Sequence, residues 1–263
     1  MTTEHTQRLV IRISRNSLAF STSDGHDVTF ERYPLRSSIS LAANMREALK
    51  QVPLLQNGFY RVKVITDAPI LMTPVDLFRE EEKEELYYHT FTQQQQVAVV
   101  HSVVPELNAV AVFTIQKDLR QVLTDQYGSV NVLPLMIPVW QHLYQKSFTS
   151  KNGKLYGYFH DRKLEVFSFG QNRFKFYNSF AVNEYADALY FLLATWKLLG
   201  FAPQQDELHL YGDIPEKEQF VEQASQYVKR IFVNNPSGEF NRAPVTQIES
   251  MPYDMMLQYL RRI

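Results

Sequence analysis

Apolar and polar residues alternate with a period of two over Leu9 to Ser14, and the runs Leu18 to Ser23 and Val28 to Arg32 continue as a meander. A period of two sets one face of a run against a core, so three strands are predicted. Arg15 to Ser17 makes the first turn, and Asp24-Gly25, which tolerates positive φ, makes a tight second one. Pro34 ends the meander. The spacing then changes to three and four, with Leu41, Ala42, Met45, Ala48, Leu49 and Val52 on one stripe. That predicts a helix capped by Ser38 or Ser40 and ended by Pro53 and Gly58. Tyr60 to Thr66 is again strand-like, and a strand reached through a helix is expected to run parallel to its neighbour.

The same plan recurs. LYGYFHD, LEVFSFG and RFKFYNS, then ADALYFLLATWK and DELHLYGDIP, read strand, strand, strand, helix, strand from Leu155 to Pro215. Displaced by 146 positions without a gap, Arg8 to Pro69 lies on Lys154 to Pro215. Leu9 then pairs with Leu155, Leu18 with Leu164, Phe30 with Phe176, Ala42 with Ala188, Ala48 with Ala194, Asp67 with Asp213 and Pro69 with Pro215. These identities are few, but element order, spacing and apolar phase agree throughout, as a duplicated unit with its own core requires.

Between the copies, Thr73-Pro74 predicts the start of a helix running to about His89, with REEEKEE as its solvated face. Val97–Val104 and Asn108–Thr114 predict a hairpin, and Asp118 a capped helix to Tyr127 closed by Gly128. Val130 to Leu135 follows as a buried-type strand, Pro138 opens a helix, and Thr149 to Gly153 is the best linker. In the second copy, turns are expected at Asp161-Arg162 and Gly170-Gln171-Asn172. Its helix, capped by Asn183 and closed by Gly200, is apolar nearly all round and is therefore expected to be covered on several sides, between the domains. A strand to Tyr211, a helix through Phe220, a short strand to Val233 and a terminal helix from Pro252 complete the chain. The expected domains are 1–150, with an inserted subdomain at about 70–128, and 151–263.

Composition narrows the chemistry. A chain of 263 residues with 45% hydrophobic and 13% aromatic residues can bury two ordinary cores. The net charge of −1 supplies no field for nucleic acid or an anionic membrane. Cysteine is absent, which excludes disulfides, thiolate metal sites and cysteine nucleophiles. No apolar run approaches the ~20 residues of a membrane-spanning helix, and Met1 to Gln7 is polar, so a cytoplasmic protein is expected. No two of the seven histidines stand three or four apart, and no G-x-S-x-G, G-x-x-x-x-G-K-[ST] or G-x-G-x-x-G motif occurs. The basic residues Arg46, Lys50, Arg61 and Lys63 read as one solvated face without aromatic interleaving.

Three meandering strands, a helix and a parallel strand, all duplicated, resemble the ribonuclease H-like unit as doubled in the actin-like ATPase superfamily. DQYGSVNVLPLMIPVWQHLYQK is similar to the helix, strand and helix leading out of the first domain in its pilus-assembly and cell-division branch. LHLYGDIPEKEQFVEQASQYV is similar to the adenosine-side strand, glycine turn and helix. The chain also resembles an uncharacterised bacterial family of this fold. The resemblance implies an α/β protein of two tandem ribonuclease H-like domains, each a mixed sheet with a three-strand meander and flanking helices. In that superfamily the first hairpin of each domain carries an Asp-x-Gly turn, which admits phosphate to backbone N–H groups and holds hydrated Mg²⁺. Arg12 and Ser14 stand at those positions in the first copy, Tyr158 and His160 in the second. Neither carboxylate nor glycine is kept, which also argues against a two-metal nuclease.

Two functional readings follow. One is a non-catalytic binding or scaffold protein, with degenerate phosphate and metal motifs, no cofactor and an unknown protein partner. The other is a nucleotide-binding actin-like ATPase, taking ATP and Mg²⁺ through diverged ligands at Asp67, Asp161, Gly212 and Asp213. Asp67 and Asp213 end equivalent strands, where α/β sheets bind ligands, although each can also cap the turn before its proline. Asp161 reads equally as a turn aspartate.

Overall fold

The computed structural model describes residues 8–23, 27–56, 58–59, 61–149, 151–170 and 173–260. Its contacts divide into two compact units, one of Met1–Pro105, Ala109–Val139 and Ala243–Ile263, the other of Glu106–Asn108 and Trp140–Arg242.

In the first unit β1 (Arg8–Ile13), β2 (Ser17–Ser23) and β3 (Val28–Pro34) form the expected antiparallel meander. The Asp24-Gly25 turn lies outside the described residues. Helix α1 (Leu41–Gln51) starts where the Ser40 hydroxyl accepts from Ala43 N–H, and it buries Ala42, Met45 and Ala48. Strand β4 (Arg61–Thr66) runs parallel to β1. The next segment corrects the sequence reading. Thr73-Pro74 does not open a helix but ends β5 (Leu71–Pro74), paired antiparallel with Ala109 to Val112. Proline is tolerated on this edge strand because one side of it carries no ladder. Helix α2 begins only at Lys83 (Lys83–Thr90), and Glu80, Glu81, Glu82, Glu84 and Glu85 are exposed as expected. Strands β6 (Val97–Val104) and β7 (Ala109–Gln116) complete a three-stranded sheet of order β5-β7-β6. Helix α3 (Lys117–Tyr127) returns to the main core, where Leu119, Val122 and Leu123 pack with Leu9, Ile11 and Met45. Its cap is Gln116 rather than Asp118, and Gly128 closes it at φ 73°. With β8 (Val130–Pro134) the main sheet has the order β3-β2-β1-β4-β8. Helix α4 (Met136–Ser147) starts two residues before Pro138, and its residues from Trp140 belong to the second unit.

The second unit repeats the sheet. Strands β9 (Lys154–His160), β10 (Lys163–Gly170), β11 (Arg173–Ala181), β12 (Glu207–Gly212) and β13 (Ile231–Val233) lie in the order β11-β10-β9-β12-β13. Gln171-Asn172 of the second turn lie outside the described residues. Helix α5 (Tyr185–Leu198) is capped by Glu184 with Asp187 in a reciprocal capping box, one residue after the expected Asn183. It is not covered all round: Tyr190 and Leu198 are 68% and 72% exposed. Helices α6 (Lys217–Ser225) and α7 (Pro236–Glu239) follow β12 and β13.

The duplication is visible in the registers. Arg8 faces Arg61 and Ile13 faces Thr66, while Lys154 faces Glu207 and Phe159 faces Gly212. These are the same pairs displaced by 146. Asp67 N–H donates to Ile13 O at 2.9 Å, and Asp213 N–H to Phe159 O at 3.0 Å. The match slips by one residue over β11 and α5, because β11 carries an extra residue in a β-bulge opposite Ser168 and Phe169, and it resumes at β12. The buried positions Ala42, Met45 and Ala48 of α1 therefore answer to Leu189, Leu192 and Thr195 of α5, and Ala194 is exposed although Ala48 is buried.

The sequence reading ended the second domain at 263, but 243–260 packs on the first unit. Its helix α8 (Tyr253–Met256) is four residues long, and Pro252 is its N-cap. Arg8 and Lys63 donate to Gln258 at 2.7 and 3.0 Å, and Tyr259 hydroxyl donates to Ser21 at 2.7 Å. Lys63 is therefore engaged with this segment rather than part of the expected solvated basic face. No described helix is long and apolar enough to cross a membrane.

Candidate functional site

The superfamily resemblance directs attention to the strand ends and the two first hairpins. In the first unit Arg12 is 1% exposed and its Nε donates to both carboxylate oxygens of Asp254, at 2.9 and 3.1 Å. Asp254 is 0% exposed. The position of a metal-binding carboxylate thus holds a cation, neutralised by α8. Ser14 closes the β1–β2 turn, its N–H donating to Ser17 O at 3.0 Å and its hydroxyl to the same oxygen at 3.1 Å.

In the second unit Asp161 and Arg162 both adopt positive φ, 45° and 62°, joining His160 to its partner Lys163 in a two-residue hairpin. The His160 ring nitrogens lie 3.2 Å from Asp161 Oδ2 and 3.1 Å from Glu165 Oε1. Glu165 is buried and also accepts from Tyr177 and Ser179 hydroxyls at 2.9 and 3.0 Å. Burial pushes its carboxyl pKa up, but His160, Lys163 and Tyr177 outweigh that and hold it below the ordinary value. Gly212 has φ 82°, and a Cβ there would lie 2.0 Å from Phe159 O. A glycine is thus required there by its positive φ and by the close approach of Phe159 and the Tyr158 ring. Asp161, Gly212 and Asp213 come together at one sheet edge, the adjoining ends of β9 and β12. Asp67 holds the corresponding place at the end of β4 in the first unit.

A cavity of about 490 Å³ lies elsewhere in the second unit, against β9, β12 and β13. Leu155, Leu208 and Leu210 face the core with α5, so period two turns Tyr156, His209 and Tyr211 to the opposite face. Tyr156 stacks on His209 with centroids 5.3 Å apart, and His209 on Phe232 at 4.8 Å. The end of α4 and the α7 segment supply Lys146, Thr149, Asn235 and Glu239. Lys154 donates to Lys146 O, Ser147 O and Thr149 Oγ1 at 3.1, 3.3 and 2.7 Å, satisfying the carboxyl end of α4. Glu239 pairs with His142 at 2.7 Å and with Lys146. Burial pushes the Lys154 and His209 pKa values down and the Tyr156 value up. Sequence reasoning missed this group. The available signal was the second face of β9 and β12, where Lys154, Tyr156, Glu207, His209 and Tyr211 interrupt an apolar run.

Comparison with solved structures fixes the fold. A protein of actin-like ATPase fold and unknown function from Bacteroides thetaiotaomicron VPI-5482 matches with TM-score 0.83 and 25% identity, over 94% of this chain and 98% of that one. A chain of the PilM–PilN type IV pilus biogenesis complex matches with TM-score 0.55 and 10% identity, over 96% and 94%. No curated protein sequence matches. The chain has the actin-like ATPase fold expected from its duplicated meanders. A family model for proteins of unknown function, DUF3822, matches residues 1–231, so the chain belongs to the DUF3822 family.

Proposed function

We propose that this protein is a non-catalytic actin-like binding or scaffold protein, which keeps the fold for contact with a protein partner. The observation that carries this reading is the Arg12–Asp254 pair. A hydrated Mg²⁺ needs a carboxylate with free lone pairs, whereas Arg12 places a guanidinium there and ties up the carboxylate of Asp254 at 2.9 Å. The second hairpin supports the same reading, because Tyr158 and His160 stand where the superfamily turn carries the aspartate that holds the metal and the glycine that admits phosphate. Gly212 gives the nucleotide reading no independent support, since sheet packing already requires a glycine there. A cytoplasmic setting, expected from the composition, accompanies the proposal.

The rival reading uses Asp67, Asp161, Gly212 and Asp213 for ATP and Mg²⁺. Thermal melting of the intact protein with and without Mg·ATP or Mg·ADP separates the two. A ligand at 100 times its Kd stabilises by about 2.7 kcal/mol. No shift at millimolar nucleotide is the expected result, and a clear shift overturns the proposal.

A further inference from the structure

The hydrogen-bond accounting of the second-unit cavity is incomplete in one direction. Its charged lining groups have protein partners: Lys154 on the end of α4, Glu239 on His142 and Lys146. Two neutral groups do not. Tyr156 is 1% exposed and its hydroxyl has no hydrogen-bond partner among the described residues, and neither does the buried Asn234 Nδ2. Both residues line the cavity. Buried polar atoms are partnered in the great majority of cases, because an orphan bears its full desolvation cost. Asn234 Nδ2 can only donate, and Tyr156 hydroxyl stays protonated and can donate, so the missing group is an acceptor.

Three further features describe the bearer of that acceptor. The cavity, at about 490 Å³, falls within the size range of small-molecule sites. Two lysines, Lys146 and Lys154, line it against the single carboxylate of Glu239, which favours a negative charge. The Tyr156, His209 and Phe232 rings, stacked on one another, make one apolar wall that suits an apolar body. We propose that this cavity binds a small molecule with an apolar body and a carboxylate, held by Tyr156 hydroxyl and Asn234 Nδ2. The site stands apart from the strand-end residues Asp161, Gly212 and Asp213, and it does not depend on the scaffold reading.

Benzoate is the probe, with benzamide as its neutral analogue, titrated into the intact protein and followed by calorimetry and protein-observed NMR. Saturable benzoate binding is expected below about 10 mM, a weak-site affinity, with benzamide binding more weakly. Tyr156→Phe deletes only the unpartnered hydroxyl. It is expected to weaken benzoate about tenfold, the loss of one hydrogen bond to a charged acceptor, while leaving the ligand-free melting temperature unchanged or raised. Asn234→Ala supplies an independent arm with the same expected weakening. Absence of saturable binding, or binding that both variants leave unchanged, overturns the site. Benzamide binding as tightly as benzoate overturns the carboxylate, and a lowered ligand-free melting temperature in Tyr156→Phe shows that the hydroxyl already has a partner and overturns the accounting.

Discussion

Asp254→Asn tests the physical basis of the scaffold reading. The substitution keeps the shape of the side chain and removes the carboxylate charge that the Arg12 Nε holds, at a guanidinium 1% exposed. At 2.9 Å and an effective dielectric of about 20, the pair attraction is about 6 kcal/mol. Part of this offsets the several kcal/mol needed to take each ion out of water, so loss of one partner is expected to cost about 3–5 kcal/mol. The double variant Arg12→Met/Asp254→Leu removes both charges and fills the space with apolar atoms. It is expected to recover most of that loss, because a buried ion pair is often no more stable than well-packed hydrophobic residues. Urea denaturation read by far-UV circular dichroism measures each step. Hydrogen exchange of β1 and β4 amides localises the effect, since both tryptophans, Trp140 and Trp196, lie in the second unit and report mainly on it. Arg12→Asp, which restores the superfamily carboxylate, sets two acids against each other and is expected to be at least as damaging as Asp254→Asn. A loss below about 1 kcal/mol for Asp254→Asn, a value expected of exposed pairs, refutes the argument. So does a double variant as unstable as the single one.

Other outcomes follow from the same geometry. Gly212→Ala brings Cβ to 2.0 Å from Phe159 O at φ 82° and is expected to cost about 3 kcal/mol or to prevent folding. Gly128→Ala, at φ 73° in open space, is expected to cost about 1 kcal/mol, and equal losses in equilibrium unfolding contradict the close-approach argument. The Glu165 carboxyl has a folded-state pKa below its ordinary 4.5, so the unfolded chain binds more protons in that window. Its stabilisation is therefore complete above pH 4.5 and lost as pH falls through the folded value. Glu165→Gln is expected to flatten that acid limb of the stability profile, and an unchanged limb in acid titrations of urea midpoints rules the mechanism out.

Much of the fold was written in periodicity. Period two over Leu9 to Ser14 and period three to four over Leu41 to Val52 gave the meander and its helix, because burial on one face imposes its spacing directly. Thr73-Pro74 misled because a hydroxyl followed by proline opens a helix and also ends an edge strand. Only the pairing of Thr73 with Val110 decides between them. The bulge opposite Ser168 and Phe169 was equally hidden, since an extra residue is defined only by the pairing of β11 with β10. At the site, the absence of Asp-x-Gly turns was legible residue by residue. The reason for Gly212 was not, because the oxygen that excludes a side chain belongs to Phe159, far away in sequence.

The sequence by itself determined the duplicated architecture and the loss of the superfamily turns, since both reside in local patterns of residue type. Tertiary structure alone decided that Arg12 is neutralised by Asp254, 242 positions later, and that 243–260 belongs with the first unit. It alone placed Tyr156 of β9 and Asn234, just past β13, around one cavity with unspent donors. Such pairings depend on which surfaces meet when chain segments remote from one another pack, and no local periodicity encodes that.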